Sequence, residues 1–468
     1  MEQNYVVYHL HDDKGSLLDS CTKWEDYVDL AASYGMKAIA STNHGYNLNW
    51  TEKKQYAEKK GLKFIVGCEV YLTSEIYHYP EIPDEVYESY QGWDPQEAQE
   101  EIGKMMDAER YKVRDNFHTI LLCKNARGVL ELNKVMGTSY DADHKYYKPR
   151  ITFEEFFGLS DNIIKISACL ASPLRKYTSE CDGFRQEVYD KLCETYDYYE
   201  IQYHDCDDQK EYNQYLWELS KKYHKPLIAA TDTHSLNAYK AECRKILMMG
   251  KGIEFTGEDE FDLTFKSYNE LVDAFTVQDA LPREVWMEAI ENTNRMADSV
   301  TDFTLSTKAR YPILTGTSES DAKVYIKRTH DMLNDKIRRG IIPEFEVAQF
   351  KADVEEELTV FKKTNMLGFM LSMSDLMIWG KNEGIPFGPS RGSVAGSRCA
   401  FVTDIIDVDP ARWNLVFSRF CNENRVEIGD IDIDVPDAYR PMIYNHIFES
   451  FGREKCAYVL AMGTLAGK

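Results

Sequence analysis

The chain has 468 residues, with 55 Lys and Arg against 78 Asp and Glu, a formal net charge of −23. Hydrophobic residues at 43% and charged residues at 28% are ordinary globular proportions, which exclude global disorder, a collagen-like repeat and a disulfide scaffold. The acidic balance also argues against a surface that mostly tracks nucleic acid, because phosphate binding wants Lys and Arg.

At roughly 150 residues per domain the length predicts about three domains. No run approaches the roughly 18 apolar residues of a membrane span, and Met1–Asp13 lacks the basic and apolar regions of a leader. Eleven cysteines, without CxxC pairs, fit reduced thiols. The expectation is a soluble, cytoplasmic chain with no membrane partner.

In chain order, apolar strand candidates fall at Tyr5–Leu10, Lys37–Ser41, Lys63–Leu72, Phe117–Cys123, Asn162–Ser167, Tyr198–Tyr203 and Pro226–Thr231. Amphipathic runs lie between most of them, such as Trp24–Tyr34 and Thr51–Lys60, each stopped by a glycine. Such repeats predict parallel βα units, in an open sheet or a barrel, with chemistry at the carboxyl ends of the strands. The segment Glu75–Asp115 breaks the rhythm with twelve acidic residues against four basic, a net of −8. It reads as a solvated insertion, partly helical near Pro95–Val113. From about Ala241 to Lys381 the pattern is mostly helical, with a charged helix expected at Ala348–Thr364. The basic residues Lys327, Arg328, Lys336, Arg338 and Arg339 read as charged helix faces. After Gly384 come a glycine- and serine-rich loop and an alternating strand.

Polar residues gather where the first set of strands ends. His9 and His11 lie two apart, on one face of an extended chain. Asp19 follows in Ser-Leu-Leu-Asp, His44 in Thr-Asn-His-Gly, and Glu69 after Gly67. His118 opens the fourth strand, Cys169 closes the fifth, and Asp232 and His234 follow the seventh. All are competent metal ligands. Nine of them at consecutive junctions are too many for one ion and suggest two or three, bridged by Glu69 or a solvent oxygen.

These spellings, with Gly-Cys-Glu, His-Thr-Ile-Leu-Leu and Ser-Ala-Cys-Leu, resemble the PHP (polymerase and histidinol phosphatase) domain. That family is a distorted seven-stranded βα (TIM-like) barrel with a trinuclear metal site, and the version here resembles the one fused to bacterial replicative polymerases. The resemblance implies His9, His11, Asp19, His44, Glu69, His118, Cys169, Asp232 and His234 as ligands of Zn or Mn. Asn43 stands where the family usually has Asp. A complete ligand set implies a 3′–5′ exonuclease; eroded sets serve as scaffolds. His204 is a candidate contact behind the ligands or with substrate, while His78, His144, His224, His330 and His446 belong to no constellation.

The loop Phe387–Ser397 supplies free backbone amides at Gly388 and Gly392, hydroxyls at Ser390 and Ser393, and the guanidinium of Arg391, all suited to phosphate. No Gly-Lys-Ser/Thr follows, so it is not a Walker loop. Downstream, alternation in Gly429–Val435 puts Asp430, Asp432 and Asp434 on one face. Aspartates so placed repel unless cations hold them, which points to Mg²⁺ and two-metal nucleotidyl transfer. With Asp407-Val408-Asp409-Pro410, Phe417-Ser418-Arg419-Phe420 and Asn-Arg-Val, this stretch resembles the palm of C-family DNA polymerases, the alpha subunits of bacterial DNA polymerase III. Their palms have the polymerase-beta-like nucleotidyltransferase fold. The resemblance implies Asp432 and Asp434 as catalytic metal ligands and Gly388 and Ser390–Ser393, Arg391 chief among them, as triphosphate contacts.

The expected architecture is therefore α/β, with a PHP barrel over 1–245 (acidic insertion about 75–115). The first part of a palm with a helical lead-in follows over 246–468, ending near a palm–thumb junction at Met462–Lys468. Implied partners are a DNA primer–template and deoxynucleotides. Thumb, fingers and a third catalytic aspartate would come from a further part or a second polypeptide, with a replication clamp in the complete protein, so 1–468 alone is expected not to polymerise. The rival readings are a stand-alone phosphoesterase of small substrates and a barrel that only braces the polymerase.

Overall fold

A computed structural model describes residues 4–14, 19–79, 83–181, 183–252, 261–306, 310–422 and 429–459. The chain divides into two compact units, Met1–Leu305 and Ser306–Lys468.

Strands of the first unit are β1 (Ala38–Ser41), β2 (Lys63–Thr73), β3 (Tyr77–His78), β4 (Tyr111–Lys112), β5 (Phe117–Cys123), β6 (Arg150–Thr152), β7 (Ile163–Ile166), β8 (Tyr199–Gln202) and β9 (Leu227–Ala230). β1 pairs with β2 in parallel, β2 with β5 and β5 with β7 antiparallel, and β8 with β9 in parallel. Isolated bridges supply the remaining links: Ile166 to Tyr198, Leu10 to Thr233 and Val7 to Ile39. The pairings thus return on themselves through the N-terminal segment. That segment, expected as a strand, contributes only bridges at Val7 and Leu10.

The expectation of uniformly parallel units fails at β5, which runs against both neighbours. Period-two hydrophobicity is blind to strand direction, so the sequence could not report it. The reversal has a consequence for chemistry. It brings His118, at the start of β5, to the rim where the other strands end.

Alternate strand residues, among them Val6, Tyr8, Ala38, Ala40, Ile65, Ile120, Leu122, Ile164, Ile166, Ile228 and Ala230, converge on one buried cluster. Met296, Ala297 and Val300, at the end of the helix Arg283–Ser299, close that cluster. Polar bonds fix the helix there: Asn292 Nδ2 donates to the Leu227 carbonyl (2.7 Å) and Lys63 Nζ to the carbonyls of Ala297 and Val300 (2.9 Å each). The first unit therefore runs on to Leu305, beyond the expected boundary at 245. The opposite faces of the strands pack under the surrounding helices in a larger cluster that includes Trp24, Tyr27, Phe64, Leu121, Phe156 and Leu216.

The acidic insertion is an antiparallel pair, β3 with β4, carrying helices Asp84–Ser89 and Pro95–Glu109, neither of which buries a residue.

The second unit packs the helices Ser318–Arg338, Val347–Lys363 and Leu367–Asn382 around Tyr325, Val354, Phe361, Met370 and Leu371. Gly429–Val435 keeps its alternation, with Asp430, Asp432 and Asp434 exposed and Ile431, Ile433 and Val435 half-buried. It is not paired into a ladder among the described residues, contrary to the expected strand. Alternation specifies two faces; a strand also needs a neighbour for its amides. The expected junction at Met462–Lys468 and the Asn-Arg-Val run lie outside the described residues.

Candidate metal centre and phosphate loop

One rim of the first unit collects all nine sequence-predicted donors. His44 and Glu69 are set side by side by a backbone bridge, with Gly45 N–H donating to the Glu69 carbonyl (2.7 Å) and Glu69 N–H to the Asn43 carbonyl (3.2 Å). Two residues earlier, Gly67 lets β2 pass close to β5: a Cβ there would meet Leu122 Cδ2 at 2.6 Å and the Leu121 carbonyl oxygen at 2.9 Å.

Glu69 sits at the middle. Its Oε2 is 2.8 Å from His44 Nδ1, 3.3 Å from His11 Nε2 and 3.5 Å from His9 Nε2, while Oε1 is 2.7 Å from His118 Nδ1. Asp232 Oδ1 lies 3.0 Å from His9 Nε2, 3.3 Å from His11 Nε2 and 3.5 Å from His234 Nδ1. Asp19 Oδ2 lies 3.0 Å from both His44 Nε2 and His234 Nε2. Cys169 Sγ is 3.7 Å from His118 Nδ1.

Asp19 Oδ2 accepts hydrogen bonds from His44 and His234, and Cys169 is bonded to His118, but around Glu69 and Asp232 proximity is not hydrogen bonding. His9 Nε2, both ring nitrogens of His11, His44 Nδ1, both oxygens of Glu69 and Asp232 Oδ1 are buried with no hydrogen-bond partner among the described residues. Buried polar atoms are nearly always paired, and leaving one unpaired costs about 1–3 kcal/mol. Lone pairs that converge without bonding one another fit cations of the kind imidazole, carboxylate and thiolate share.

Charge is arranged accordingly. Burial works against the charge of Glu69 and Asp232, yet the surrounding imidazoles hold both well below the usual carboxylate range. Burial likewise opposes the charge of His44, but Glu69 and Asp19 carry it up to about 10. His11 goes the other way, down to about 3, through burial and then the neighbouring His44 and His234.

Two supporting groups were not legible as such. Glu200, in the buried strand β8, accepts from His9 Nδ1 (2.8 Å), the Tyr8 hydroxyl (2.9 Å) and Gln202 Nε2 (2.8 Å), which aims Nε2 of His9 at the centre. A carboxylate in a wholly buried strand was the available signal. Arg244 holds Asp19 through its side chain and backbone carbonyl, and no local pattern marks it. Ala168 and Asp232 adopt left-handed φ values of 60° and 44°, a strained geometry beside the donors. His204 is buried with both ring nitrogens unpaired among the described residues and is held down to about 4 by burial, its ring 4.6 Å from that of Phe261. Outside the centre, His78, His144 and His330 pair with Glu75, Glu155 and Glu355, and His446 stacks on Trp379.

In the second unit the glycine-rich loop lies directly against the aspartate segment. Arg391 reaches Asp434 Oδ1 at 2.8 Å, and Gly388 N–H donates to the Asp434 carbonyl at 2.9 Å. Side chains at two positions would collide: a Cβ on Gly388 would come within 2.9 Å of Asp434 Cβ, and one on Gly392 (φ 72°) within 3.0 Å of Asp432 Oδ2. Ser390 Oγ is buried without a partner among the described residues. Beyond the loop, Glu357 accepts from Ser397 Oγ (2.7 Å) and the amides of Arg398 (2.8 Å) and Cys399 (2.9 Å), anchoring the exit into the helix Arg398–Val402.

Comparison with known proteins agrees with this division. Residues 8–204 match the PHP domain, and residues 325–468 match the bacterial DNA polymerase III alpha NTPase domain. DNA polymerase III subunit alpha of Borreliella burgdorferi is 28% identical over 480 residues, covering 99% of this chain and 38% of the relative. The same subunit of Aquifex aeolicus is 28% identical over 491 residues, covering 100% of this chain and 39% of the relative. The chain thus spans about two fifths of the length of these relatives. The two domain matches fall in order along one polypeptide, and over its whole length the chain is similar to the N-terminal two fifths of bacterial DNA polymerase III alpha subunits.

Proposed function

We propose that the chain is an N-terminal part of a cytoplasmic, DNA-directed replicative DNA polymerase, with a metal-dependent 3′–5′ exonuclease in its first unit and an incomplete nucleotidyl-transfer site in its second. The observation that carries the exonuclease reading is the group of buried donor atoms that converge without hydrogen bonds. His9, His11, Asp19, His44, Glu69, His118, Cys169, Asp232 and His234 would hold two or three Zn or Mn ions. Bound there, the ions supply activated water and charge neutralisation for a phosphate ester. The protein's own part is orientation: Glu200 fixes His9, Arg244 fixes Asp19, and burial excludes bulk water.

In the second unit, Asp432 and Asp434 would hold Mg²⁺, while Gly388, Ser390, Arg391, Gly392 and Ser393 would receive a nucleoside triphosphate. Arg391 now spends its charge on Asp434; a bound cation would free it for phosphate. Primer–template DNA, deoxynucleotides and a replication clamp are the proposed partners of the whole protein.

The test is metal analysis joined to degradation of a single-stranded 3′ end. Two or three ions per chain, with hydrolysis lost in Asp232→Asn, is the expected result. Ions bound without hydrolysis of DNA would assign the barrel a bracing role instead.

A further inference from the structure

Behind the metal centre lies a second buried polar cluster that contributes no donor to it. Asp12, Ser41, Asn43 and Lys53 are 0%, 5%, 0% and 2% exposed. Lys53 Nζ, from the helix Trp50–Lys59, donates to Asp12 Oδ2 at 2.5 Å and to Ser41 Oγ at 2.9 Å. Asp12 and Asn43 bond reciprocally: the Asp12 amide donates to Asn43 Oδ1 (2.8 Å) and Asn43 Nδ2 to Asp12 Oδ2 (3.0 Å). A fully buried ion pair of this kind seldom improves stability over an apolar substitute, so its retention asks for another reason.

Position in the chain supplies one. Asp12 directly follows His11, and Asn43 directly precedes His44. The backbone carbonyl of Asn43 accepts from Glu69 N–H (3.2 Å) and from Cys68 Sγ (3.3 Å). One amide side chain and one peptide therefore tie together the segments that carry His11, His44 and Glu69. We propose that Asp12, Asn43 and Lys53 form a positioning device that sets the spacing of these three donors for metal. This rests on the metal-centre reading above.

The role of Asn43 is chemically specific. Its amide offers the oxygen that the Asp12 backbone needs and the N–H that the Asp12 carboxylate needs. An aspartate of the same size would keep the first bond and turn the second into a contact between two carboxylates. Lys53 offsets one buried negative charge at that point and would face two.

The experiment compares Zn²⁺ and Mn²⁺ affinity, by equilibrium titration of the metal-stripped chain, in the wild type, in Asn43→Asp and in the exchange Asp12→Asn with Asn43→Asp. The exchange keeps volume and net charge and restores an amide facing a carboxylate within reach of Lys53. Asn43→Asp is expected to weaken binding by about tenfold to a hundredfold, as loss of groups supporting metal ligands generally does, and the exchange to recover most of it. Far-UV circular dichroism and a melting curve accompany each titration, since a merely structural role would lower the melting temperature without changing affinity in the folded chain. Wild-type affinity in folded Asn43→Asp overturns the proposal. If that variant does not fold, the exchange alone decides: folded with near wild-type affinity supports the device, and folded with weak affinity overturns it. A wild-type chain that takes up neither ion overturns the metal-centre reading and this proposal with it.

Discussion

Neither oxygen of Glu69 is spare: Oε1 faces His118, and Oε2 faces His9, His11 and His44. Metal must compete there with protons, because an imidazole coordinates only when the nitrogen it offers is free of its proton. Carboxylates hold the proton on His44 up to about 10, and Asp232, Glu200 and Glu69 raise His9 well above its ordinary value despite burial. Both shifts favour the protonated imidazole in the metal-free protein. Metal loading should therefore release roughly one proton or more per chain, and affinity should rise with pH. Calorimetry in buffers of different ionisation enthalpy reads this directly; an enthalpy independent of buffer would contradict it. That these nine residues would come together was legible in the sequence because each lies in a short motif in, or next to, a segment read as a strand. Glu200 and Arg244 were not, because what they do depends on partners nearly 200 residues or more away.

At the scale of elements, close contacts make their own predictions. Gly67→Ala places a methyl against Leu122 and the Leu121 carbonyl between β2 and β5, and overpacking of this kind costs about 1–3 kcal/mol in a melting experiment. Glu357 links the helix Val347–Lys363 to the end of the phosphate loop. Burial, only partly offset by the Cys399 and Arg398 amides and the Ser397 hydroxyl, moves it from the ordinary 4.5 to about 6. The folded value is the higher one, so its contribution to stability is complete below pH 4.5 and is lost as pH rises through 6. Denaturant unfolding of the second unit should show roughly 2 kcal/mol less stability from this group at pH 7.5 than at pH 4. Glu357→Ala should remove that pH dependence while costing about 1–3 kcal/mol for the three donors it leaves unpaired. The helix Val347–Lys363 was legible one residue from its observed bounds, since charged and apolar periods agree there. The direction of β5 was not, because alternation looks the same in either sense.

Over the whole molecule, the net charge of −23 acquires a location. A net of −8 falls in Glu75–Asp115, whose two helices bury nothing. Because β3 and β4 already lie paired, replacing residues 79–110 with a short turn should change stability by no more than ~1 kcal/mol, a difference of loop closure alone. A large loss of stability would show that the arm braces the barrel. The boundary between units was harder to read: helices after 245 are continuous in pattern, and only the tertiary packing of Tyr268–Gln278 and Arg283–Ser299 assigns them to the first.

The central claim is that nine donors converging at one rim, five of them buried, form a hydrolytic metal centre. Asp232→Asn suits the test, since Asn tolerates the left-handed backbone at that position. Metal content and 3′-end hydrolysis should be measured together on the purified chain and on this variant. The account predicts two or three ions per wild-type chain, shortening of a single-stranded 3′ end, and loss of that activity in the folded variant; less than one ion per chain after loading with Zn²⁺ or Mn²⁺, or hydrolysis undiminished in Asp232→Asn, would contradict it.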